Sequence, residues 1–577
     1  MKKTLALVLA VLTVVALALT GCNAGGGTAA KTEMTISVGS YPDTIDPALN
    51  SAIDGGTYII HAFSGLVGYT QSEDGKPVLT ADCATELPTA VIGEDGKATY
   101  TFTLKDGLKW SDGTDLTAED FVYAWNRAIA PETAADYAYM FDVVDGYTDG
   151  KLNVTAKDAK TLEVVLANDV PYFLELCAFP TYMPVKKDVV DGNEAWATKA
   201  DTYIGNGPYK VTEFSQSQLV FEKNEYYHNA ASVKTDKIIC AFNADDTSLY
   251  ANFQNGSYQF IDSVPAAEIK SIEEKYPDEY KVSGQLGTYY VCFNVNDKAL
   301  ADFTEDERIS IRQAISLLLD RQHIVENVSQ GGEVAANTFV PMSLSDADGK
   351  TDFRANANGG AGYFSVDAAS YDANCKEAVK LLEAVAKSSG KFTVKDGKVA
   401  GFPALTYITN ENTNHEAIAS YIQGVLALYG IDLKIEVQEW NTFLNTRKDG
   451  EYSIARNGWI ADFNDPISFL DMWLSESGNN DIQFGKGAHK DYKGYSYGGK
   501  DNLTWAESYD KLIAEIKACK DIEKRFELMH QAEDILMASG AICPIYYYTD
   551  NYMISKSLQG FFTTPLGFKY FMYATVA

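Results

Sequence analysis

The spacing of hydrophobic positions alternates along the chain between the two-residue period of strands and the 3.6-residue period of helices. Residues 99–104 alternate with period two and predict a strand. The following segment predicts a helix from 117 to about 130, with Thr117 as its N-cap and acidic residues in its first turn. The same change of period continues to the C-terminus. The pattern therefore predicts a mixed α/β protein.

Further elements follow from the same reasoning. Strands are predicted at 232–243, 433–437 and 543–548. Helices are predicted at 304–328, 373–387 and 417–429, with two more between 505 and 536. Gly430 stands in C-cap position after the third of these helices. In the helix 304–328 we expect three arginines on a polar face: Arg308, Arg312 and Arg321.

The N-terminus has the pattern of a secretory signal. Lys2 and Lys3 are followed by an apolar run with one threonine at 5–19. This run is too short to span a bilayer comfortably and has the flanks of a signal peptide. Residues 1–21 are therefore predicted to be a signal peptide and take no part in the fold.

The signal ends in a lipidation motif. The sequence Leu-Thr-Gly-Cys at 19–22 resembles the lipoprotein box of bacteria, which implies cleavage before Cys22 and lipidation of its sulfur. Residues 22–31 are rich in glycine and would form a flexible tether. We therefore expect a mature protein anchored outside the cytoplasm.

Composition narrows the class of protein further. Of the 577 residues, 46% are hydrophobic and 12% aromatic, which indicates a globular chain with two or three domains. The net charge of −31 argues against nucleic acid as a partner, since phosphates would be repelled. The seven cysteines after Cys22 are odd in number and include no Cys-x-x-Cys pair, so they cannot all form disulfides within one chain.

The sequence lacks the common patterns of catalysis and of metal or cofactor binding. Six histidines are scattered without metal-ligand spacing, and neither phosphate-binding glycine loop is present. Ser496 lies in a Gly-x-Ser-x-Gly match, but no hydrophobic strand precedes it, as a serine hydrolase requires. We therefore predict no catalytic residues, no metal and no cofactor, with a hydrolase using Ser496 as a minor alternative.

One carboxylate stands out in the segment 456–466. Asp462 follows a Gly-Trp pair inside an apolar, strand-like run, where a carboxylate needs water or a cationic partner. No Lys or Arg occurs in the twenty residues after it. Its partner must come from elsewhere in the chain or from a ligand, and a ligand that carries an ammonium group would fit.

Eleven short motifs, in order, give the chain a resemblance to a known family. The most specific are FTLKDGLKWSDG at 102–113, GNGPY at 205–209 and GWIADFNDP at 458–466. Together with the others they resemble the family 5 extracellular solute-binding proteins, the oligopeptide- and dipeptide-binding lipoproteins of bacterial ABC importers. The remaining motifs are at 44–47, 65–67, 116–127, 224–227, 289–290, 294, 311–314 and 320–321.

This resemblance implies a type II periplasmic-binding-protein fold, with two hinged lobes that close on a ligand. A small extra domain attaches to the first lobe. Carried onto this chain, lobe I would comprise 32–64, 201–286 and 541–577, the extra domain 65–200, and lobe II 287–540.

The resemblance also implies the binding residues. Asp462 matches the aspartate that holds the α-ammonium group of a peptide. Arg456 and Arg447 match cations that neutralise the peptide's C-terminal carboxylate, and His415 falls one residue from a third. For each, an ordinary structural ion pair or packing role is the alternative. The aromatic side chains expected to wall the pockets are Trp459, Trp440 and Tyr137 (or Tyr139).

Three further expectations concern the geometry around the site. Arg456 and Asp462 would lie about 20 Å apart in an unbroken strand, so a bend at Gly458 is expected to bring them closer. In the relatives, a disulfide links the positions that correspond to Gly287 and Ile460, so that bridge is absent here. The loop 50–57 is expected to hydrogen-bond the peptide backbone.

We expect a monomeric, lipid-anchored receptor on the outer face of the cell membrane. It would capture small peptides and deliver them to an ABC transporter permease. The expected source is a Gram-positive bacterium. A non-peptide solute, such as a metal chelate or an oligosaccharide, is the alternative ligand. No enzymatic activity is expected.

Overall fold

The computed structural model describes residues 32–494 and 502–577. Short strands and helices alternate through both ranges, so the predicted mixed α/β class is confirmed. The strands are β1 Glu33–Ser37, β2 Val67–Gln71, β3 Pro77–Ala81, β4 Val91–Ile92, β5 Ala98–Thr103, β6 Val154–Asp158, β7 Thr161–Leu166, β8 Tyr209–Phe214, β9 Gln218–Lys223, β10 Lys237–Ala241, β11 Phe260–Ile261, β12 Tyr280–Phe293, β13 Val334–Ala335, β14 Thr393–Lys395, β15 Lys398–Ala400, β16 Leu405–Asn410, β17 Leu433–Gln438, β18 Ile454–Ile460, β19 Ile542–Ile554, β20 Leu558–Gln559, β21 Phe562–Thr563, β22 Lys569–Tyr570 and β23 Thr575–Val576.

The helices are mostly short, and the longest lie in the second half of the chain. The α-helices are Ile53–Ala62, Ala118–Ile129, Phe173–Leu176, Lys187–Val190, Asp246–Gln254, Ile269–Lys275, Glu305–Leu317, Arg321–His323, Tyr371–Ser389, Thr413–Leu428, Trp440–Lys448, Trp505–Ala518 and Ile522–Ala538. A π-helical turn, Ile324–Ser329, continues the helix Arg321–His323.

One large sheet runs through the molecule. Within the described residues it has eleven strands, ten of them in the order β17-β16-β18-β12-β19-β11-β1-β10-β9-β8, and β13 pairs with β19 off this path. The parallel pairs β16–β17 and β1–β10 lie towards its two ends. Between them the antiparallel strands β12 and β19 join the two halves.

The strands β12 and β19 are the longest of the sheet and cross from one half to the other. The first part of β12 pairs only with β19, whereas residues from Gly287 onward also pair with β18. The register of β12 against β19 shifts between Gly284 and Thr288. This interruption lies at the predicted boundary between lobe I and lobe II, although the boundaries themselves stay a prediction.

The segment predicted as an extra domain carries a sheet of its own. Strands β4, β5, β7 and β6 form it in that order, and the helix Ala118–Ile129 packs against β6 and β7. The backbone N–H of Thr117 donates to the carboxylate of Asp120 at 2.7 Å, which closes the predicted N-terminal cap of this helix.

Most predicted elements are found within a few residues, but the helix 304–328 is not one helix. It ends at Leu317, and a new turn begins at Arg321. The predicted polar face is also wrong for two of its arginines, since Arg312 and Arg321 are only 1% and 2% exposed. Arg312 pairs with Glu305 at 2.6 Å, although its Nη1 is buried without a hydrogen-bond acceptor in the described structure, and Arg321 donates to the carbonyl of Pro544 at 2.6 Å. Both guanidinium groups therefore have their main partners inside the protein.

The positions expected to lack a disulfide face each other directly. Gly287 of β12 is the cross-strand partner of Ile460 of β18. A Cβ atom on Gly287 would lie 2.9 Å from Cγ1 of Ile460, so the isoleucine side chain occupies this space. All seven cysteines of the described residues are free, five of them buried, and buried free cysteine behaves as a small hydrophobic residue.

Several sequence predictions lie outside the described residues. These are the signal peptide 1–21, Cys22 with its tether 22–31, and Ser496. In the part of the chain that the structure does describe, none of the helices has the length and apolar character needed to cross a bilayer.

Candidate functional site

A cleft lies between the two halves of the large sheet. One wall comes from the ends of β1 and β11 with the helix Ile53–Ala62, and the other from β18 with the helices Thr413–Leu428 and Trp440–Lys448. Its cavity has a volume of about 440 Å³, within the range of about 300–1,000 Å³ usual for ligand sites.

The strand β18 positions the central residues of this cleft. Side chains alternate across a strand, so Arg456, Gly458 and Ile460 share one face, and Asp462 continues the same row beyond the strand end. All four line the cavity. On the other side of the strand Asn457 and Trp459 are buried. The sequence pattern of the segment thus places its two charges in the cleft.

Gly458 does not bend the strand. Its neighbours pair with β12 in unbroken register from Ile454 to Ile460, so the bend expected from the sequence is absent. The glycine is needed for a different reason, because a Cβ atom there would overlap the hydroxyl of Tyr548 in β19. The aromatic ring lies directly against the backbone of the strand that carries Arg456.

Replacing Gly458 with alanine is expected to destabilise the protein by about 1–3 kcal/mol, the usual cost of overpacking, since Tyr548 must be displaced. Urea unfolding measures this change. Gly424→Ala is the matched control, because Gly424 lies exposed in the helix Thr413–Leu428 with open space around it. That change should stabilise by about 0.5–1 kcal/mol. Equal effects at both glycines would contradict the role of Tyr548.

Asp462 is a buried carboxylate without a cation. The hydroxyl of Tyr137 donates to its Oδ1 at 2.9 Å, and its backbone N–H donates to Oγ of Ser468 at 2.9 Å. Within the described residues no Lys, Arg or His lies within 4.0 Å of its side-chain oxygens. Burial, reinforced by the nearby charge of Asp471, raises the pKa of Asp462 well above its usual value despite the hydrogen bond from Tyr137. The site lacks one positive charge.

The neighbouring aspartate of the same motif differs in this respect. Asp465 forms a bidentate ion pair with Arg525, at 2.8 and 2.9 Å. Its Oδ1 also accepts from the backbone N–H of Ile467 and caps a short 3-10 helix. Asp465 is therefore a structural carboxylate, and only Asp462 remains available to a ligand.

Ser468 is a supporting residue that the sequence did not reveal. It is completely buried, and its carbonyl accepts from Nε1 of Trp459 at 2.7 Å while its hydroxyl accepts from the backbone of Asp462. The ring of Trp459 lies 6.1 Å from that of Tyr137. These contacts hold the indole near the phenol that donates to the carboxylate. In the sequence, the pair Asp465-Pro466, where the 3-10 helix begins, could have predicted this turn.

Arg456 is a half-buried cation without a carboxylate partner in the described structure. Its Nη2 lies 2.9 Å from Nε2 of His415, and Nε is buried without a hydrogen-bond acceptor in the described structure. Its Cζ is 5.6 Å from the ring centroid of Tyr289 and 5.8 Å from that of Trp440, distances typical of cation–π contacts.

His415 and Trp440 add neutral donors beside Arg456. Burial and the adjacent guanidinium lower the pKa of His415 well below its usual value, so the imidazole is neutral. Nε2 accepts from Arg456, which leaves the proton on Nδ1. Both this Nδ1 and Nε1 of Trp440 are buried and find no hydrogen-bond partner in the described residues. The group has unsatisfied N–H donors and one positive charge, which together suit an anion.

Arg447 differs from Arg456 because it has a carboxylate partner within the protein. Its Nε lies 2.7 Å from Oδ2 of Asp481, and both side chains are largely buried. The charge of Arg447 is therefore already balanced within the protein. Of the two arginines predicted to hold a carboxylate, Arg456 is the better placed.

The structure brings all of the predicted binding residues together. The same cavity is lined by Asp462, Arg456, Arg447, His415, Trp459, Trp440 and Tyr137. The predicted backbone-binding loop also contributes, since residues 50–54 line the cavity. Their individual roles stay predictions. No group of three or more His, Cys, Asp or Glu side chains that could hold a metal ion occurs in the described ranges.

Direct contacts close the cleft at its edges. The backbone N–H of Ala266 donates to Oδ1 of Asn414 at 3.2 Å. On another side Lys448 pairs with Asp136 at 2.5 Å and also donates to Ser51 at 3.2 Å. Each contact joins residues that belong to different predicted domains. The two walls of the cleft therefore touch each other in this structure.

Comparisons with known proteins agree with this architecture. The family model described as bacterial extracellular solute-binding proteins, family 5 Middle, matches residues 86–481. The oligopeptide-binding protein OppA of Bacillus subtilis is 32% identical over 572 residues, covering 96% of this chain and 94% of the relative. The dipeptide-binding protein DppE of the same organism is 32% identical over 488 residues, covering 83% and 81%.

Solved structures show the same fold. Haemophilus influenzae OppA in complex with the peptide RPPGFSPFR has a TM-score of 0.79 at 26% identity, covering 95% of this chain and 99% of the other. The Escherichia coli murein tripeptide binding protein MppA also gives 0.79, at 27% identity and the same coverage. The unliganded open form of MppA gives only 0.57, covering 95% and 98%. The structure thus resembles the first MppA form more closely than the open one, as expected from the contacts across its cleft.

The fold and the enclosed cleft define a binding protein of the type II periplasmic-binding-protein fold. The chain belongs to the family 5 bacterial extracellular solute-binding proteins. Proteins of this family are extracellular solute-binding proteins, and the relatives reported above are named as binding proteins for oligopeptides, dipeptides or a murein tripeptide.

Proposed function

We propose that this protein is a receptor that captures peptides in the cleft and delivers them to an ABC transporter permease. It acts as a monomer on the outer face of a Gram-positive cell membrane, anchored by a lipid on Cys22. The observation that carries the proposal is the pair of uncompensated charges in one cavity, Asp462 and Arg456. A peptide with free termini has the two complementary charges.

The α-ammonium group of the peptide binds Asp462. A buried carboxylate without a cation is unfavourable, and an ammonium group that enters the cleft supplies the missing charge. Ion pairs of this kind form short, charge-assisted hydrogen bonds. The rings of Trp459 and Tyr137 limit water around the pair, which strengthens the attraction.

The terminal carboxylate binds beside Arg456. The free N–H groups of Arg456, His415 and Trp440 all lack partners in the described structure, and a carboxylate offers several acceptor sites. Arg447 contributes at longer range, because Asp481 already balances its charge. Recognition of both ends and of the backbone would allow one site to bind peptides that differ in sequence.

The straight strand sets a limit on ligand length. Arg456 and Asp462 are six residues apart, and a fully extended segment of this length would separate their backbones by about 20 Å at roughly 3.3 Å per residue. A fully extended peptide needs about six residues to cover this distance. Because the arginine side chain can reach along the cleft, shorter peptides also fit. We therefore propose peptides of about six residues or fewer for binding at both termini.

Native mass spectrometry of the purified protein tests this function directly, because peptides that co-purify reveal their length and composition. Thermal shift assays then compare one peptide in free, N-acetylated and C-amidated forms. We expect the free peptide to raise the Tm most. Equal stabilisation by the free and N-acetylated forms would exclude Asp462 as the ammonium site.

Replacing Arg456 with glutamine is expected to weaken binding of a free pentapeptide about 10- to 150-fold. Hydrogen bonds to charged groups contribute about 1.5–3 kcal/mol, and this substitution removes the charge of the only unpaired cation that we place at the carboxylate. Isothermal titration calorimetry measures the change. The C-amidated peptide is the internal control, since it should lose much less affinity than the free acid on the same substitution. A loss of equal size for both peptides would contradict the assignment.

A further inference from the structure

A second polar cluster lines the wall of the cleft formed by β1, β11 and the helix Ile53–Ala62. It comprises Ser37 at the end of β1, Asp54 in the first turn of the helix, and Asp262 directly after β11. Neither proposed terminus site uses these residues. The backbone N–H of Asp262 donates to the carbonyl of Ser37 at 3.1 Å, which holds the two residues side by side.

Tyr58, which lies in the same helix as Asp54, is close to the cluster. It lies one turn after Asp54, and its pKa is raised by burial and, to a smaller degree, by the charges of Cys240, Asp54 and Asp262. Its hydroxyl therefore lies within electrostatic reach of both carboxylates. Close packing at Gly55 fixes this first turn, because a Cβ atom there would overlap the side chain of Asn50.

Polar atoms of this cluster lack partners. Ser37 is 1% exposed and lines the cavity, yet its Oγ has no hydrogen-bond partner in the described structure. The same holds for the hydroxyl of Tyr58, which is also 1% exposed. Buried hydroxyl groups without partners are rare in folded proteins. Here the open space next to Ser37 is the ligand cavity itself.

The carboxylates of the cluster outnumber the cations. Lys569 is shared, since its Nζ lies 3.3 Å from Asp262 and 2.7 Å from Asp550. Asp54 forms no ion pair among the described residues, and burial raises its pKa to about 6. Burial also raises the pKa of Asp262, to about 7, although Lys569 opposes this shift. Asp262 and Asp550 thus share one lysine, and Asp54 has no cation.

The wider lining of the cavity has the same imbalance. Among the described residues, seven carboxylates and three Lys or Arg side chains line it. Asp462 and Arg456 serve the peptide termini, and Asp481 balances Arg447. The remaining charges of the lining are one cation, Lys569, and six carboxylates: Asp54, Asp246, Asp262, Glu333, Glu411 and Asp550. An acidic side chain of a peptide would be repelled here, whereas a basic one would be attracted.

We propose that Ser37, Asp54 and Asp262 form a subsite for a basic side chain, so that the receptor prefers peptides that contain lysine or arginine. This inference rests on the proposed peptide-binding function. The cation of the side chain donates to Asp54, to Asp262 and to the hydroxyl of Ser37. It thereby supplies the positive charge and the hydrogen bonds that the cluster lacks. Charged groups that meet such a partner in an enclosed site form strong hydrogen bonds.

Alanine pentapeptides with one interior residue changed to lysine, norleucine or glutamate test this subsite. Norleucine has nearly the length of lysine without its charge. At one interior position we expect lysine to bind at least about 10-fold more tightly than norleucine by calorimetry, and glutamate more weakly than either.

Two variants assign this preference to the cluster. Asp54→Asn should reduce the ratio of the lysine and norleucine affinities about 10-fold. Ser37→Ala should reduce it less. Glu333→Gln is the matched control, because this carboxylate also lines the cavity but accepts from Ser329 and from the backbone of Gly331. It should keep the ratio within about 3-fold, since its charge acts only from a distance.

The outcomes separate the subsite from the function. If norleucine peptides bind as tightly as lysine peptides at every position, the subsite is refuted and the peptide receptor stands. If none of the pentapeptides binds, both proposals fail. If Glu333→Gln lowers the ratio as much as Asp54→Asn, the preference comes from the general charge of the cleft, and the assignment to Ser37, Asp54 and Asp262 is overturned.

Discussion

Replacing Asp462 with asparagine is expected to abolish peptide capture and, at the same time, to stabilise the peptide-free protein. Loss of one partner of a buried charge pair costs on the order of 2–5 kcal/mol of binding free energy, a loss of affinity of about 30-fold to several thousand-fold. In the empty cleft the same carboxylate is buried without a cation. Asparagine removes that unfavourable charge and can still accept the hydrogen bond from Tyr137.

The two opposite effects can be read from one set of thermal unfolding curves. The variant should have a higher Tm than the wild type without ligand and should show almost no further rise when peptide is added. Asp465→Asn is the matched control, since that carboxylate is paired with Arg525. It should lower the Tm of the free protein. An Asp462→Asn protein that loses stability and keeps its peptide affinity would contradict the ammonium role.

The stabilising effect should depend on pH in a defined direction. The pKa of Asp462 in the folded protein lies well above its value of about 3.9 in an unfolded chain. Between these two values the folded state binds more protons than the unfolded state, so the contribution of Asp462 to stability falls as the pH rises. The stability gained by Asp462→Asn should therefore be small near pH 4 and should increase towards neutral pH.

Replacing Arg447 with methionine is expected to destabilise the protein by about 3–5 kcal/mol. The substitution leaves Asp481 buried without its cation, and removal of one partner from a buried ion pair is costly in this way. Asp481 retains the hydrogen bond from Nδ2 of Asn457 at 3.0 Å, which does not replace a positive charge. The change should appear as a lower urea midpoint at unchanged slope.

Arg456→Met is the matched control for this experiment. Arg456 has no carboxylate partner in the described structure, so its removal leaves no unpaired charge behind and should affect stability much less. The double variant Arg447→Met with Asp481→Asn should recover much of the stability, since both charges are then gone. Similar destabilisation by the two single arginine variants would show that Asp481 does not balance Arg447.

Elements fixed by local interactions were predictable from the sequence. The helix after Thr117 begins where the sequence predicts because its cap and its first acidic turn lie within a few residues. The burial of Arg312 and Arg321 was not predictable, since the carbonyls that satisfy them belong to Ser539 and Pro544, more than 200 residues away. The strand β12 was not predicted at all, because its pairing with β19 joins distant parts of the chain.

The same distinction applies to the site. Asp462 could be found because a carboxylate in an apolar run is anomalous within the segment itself. The difference between Arg456 and Arg447 could not be found, since it depends on Asp481 in a separate segment. The reason for Gly458 likewise lies in Tyr548 of another strand. The types of charge in the cleft were therefore predictable, whereas their internal partners required the structure.

The unbroken register of β18 has a consequence for the direction of the ligand. Both uncompensated charges lie on this one strand and its extension, with the cation first and the carboxylate last along the chain. A peptide held by Arg456 at its carboxylate end and by Asp462 at its amino end must run opposite to β18. A reversed peptide would place like charges together at both ends. The strand thus selects the polarity of its ligand independently of the ligand's side chains.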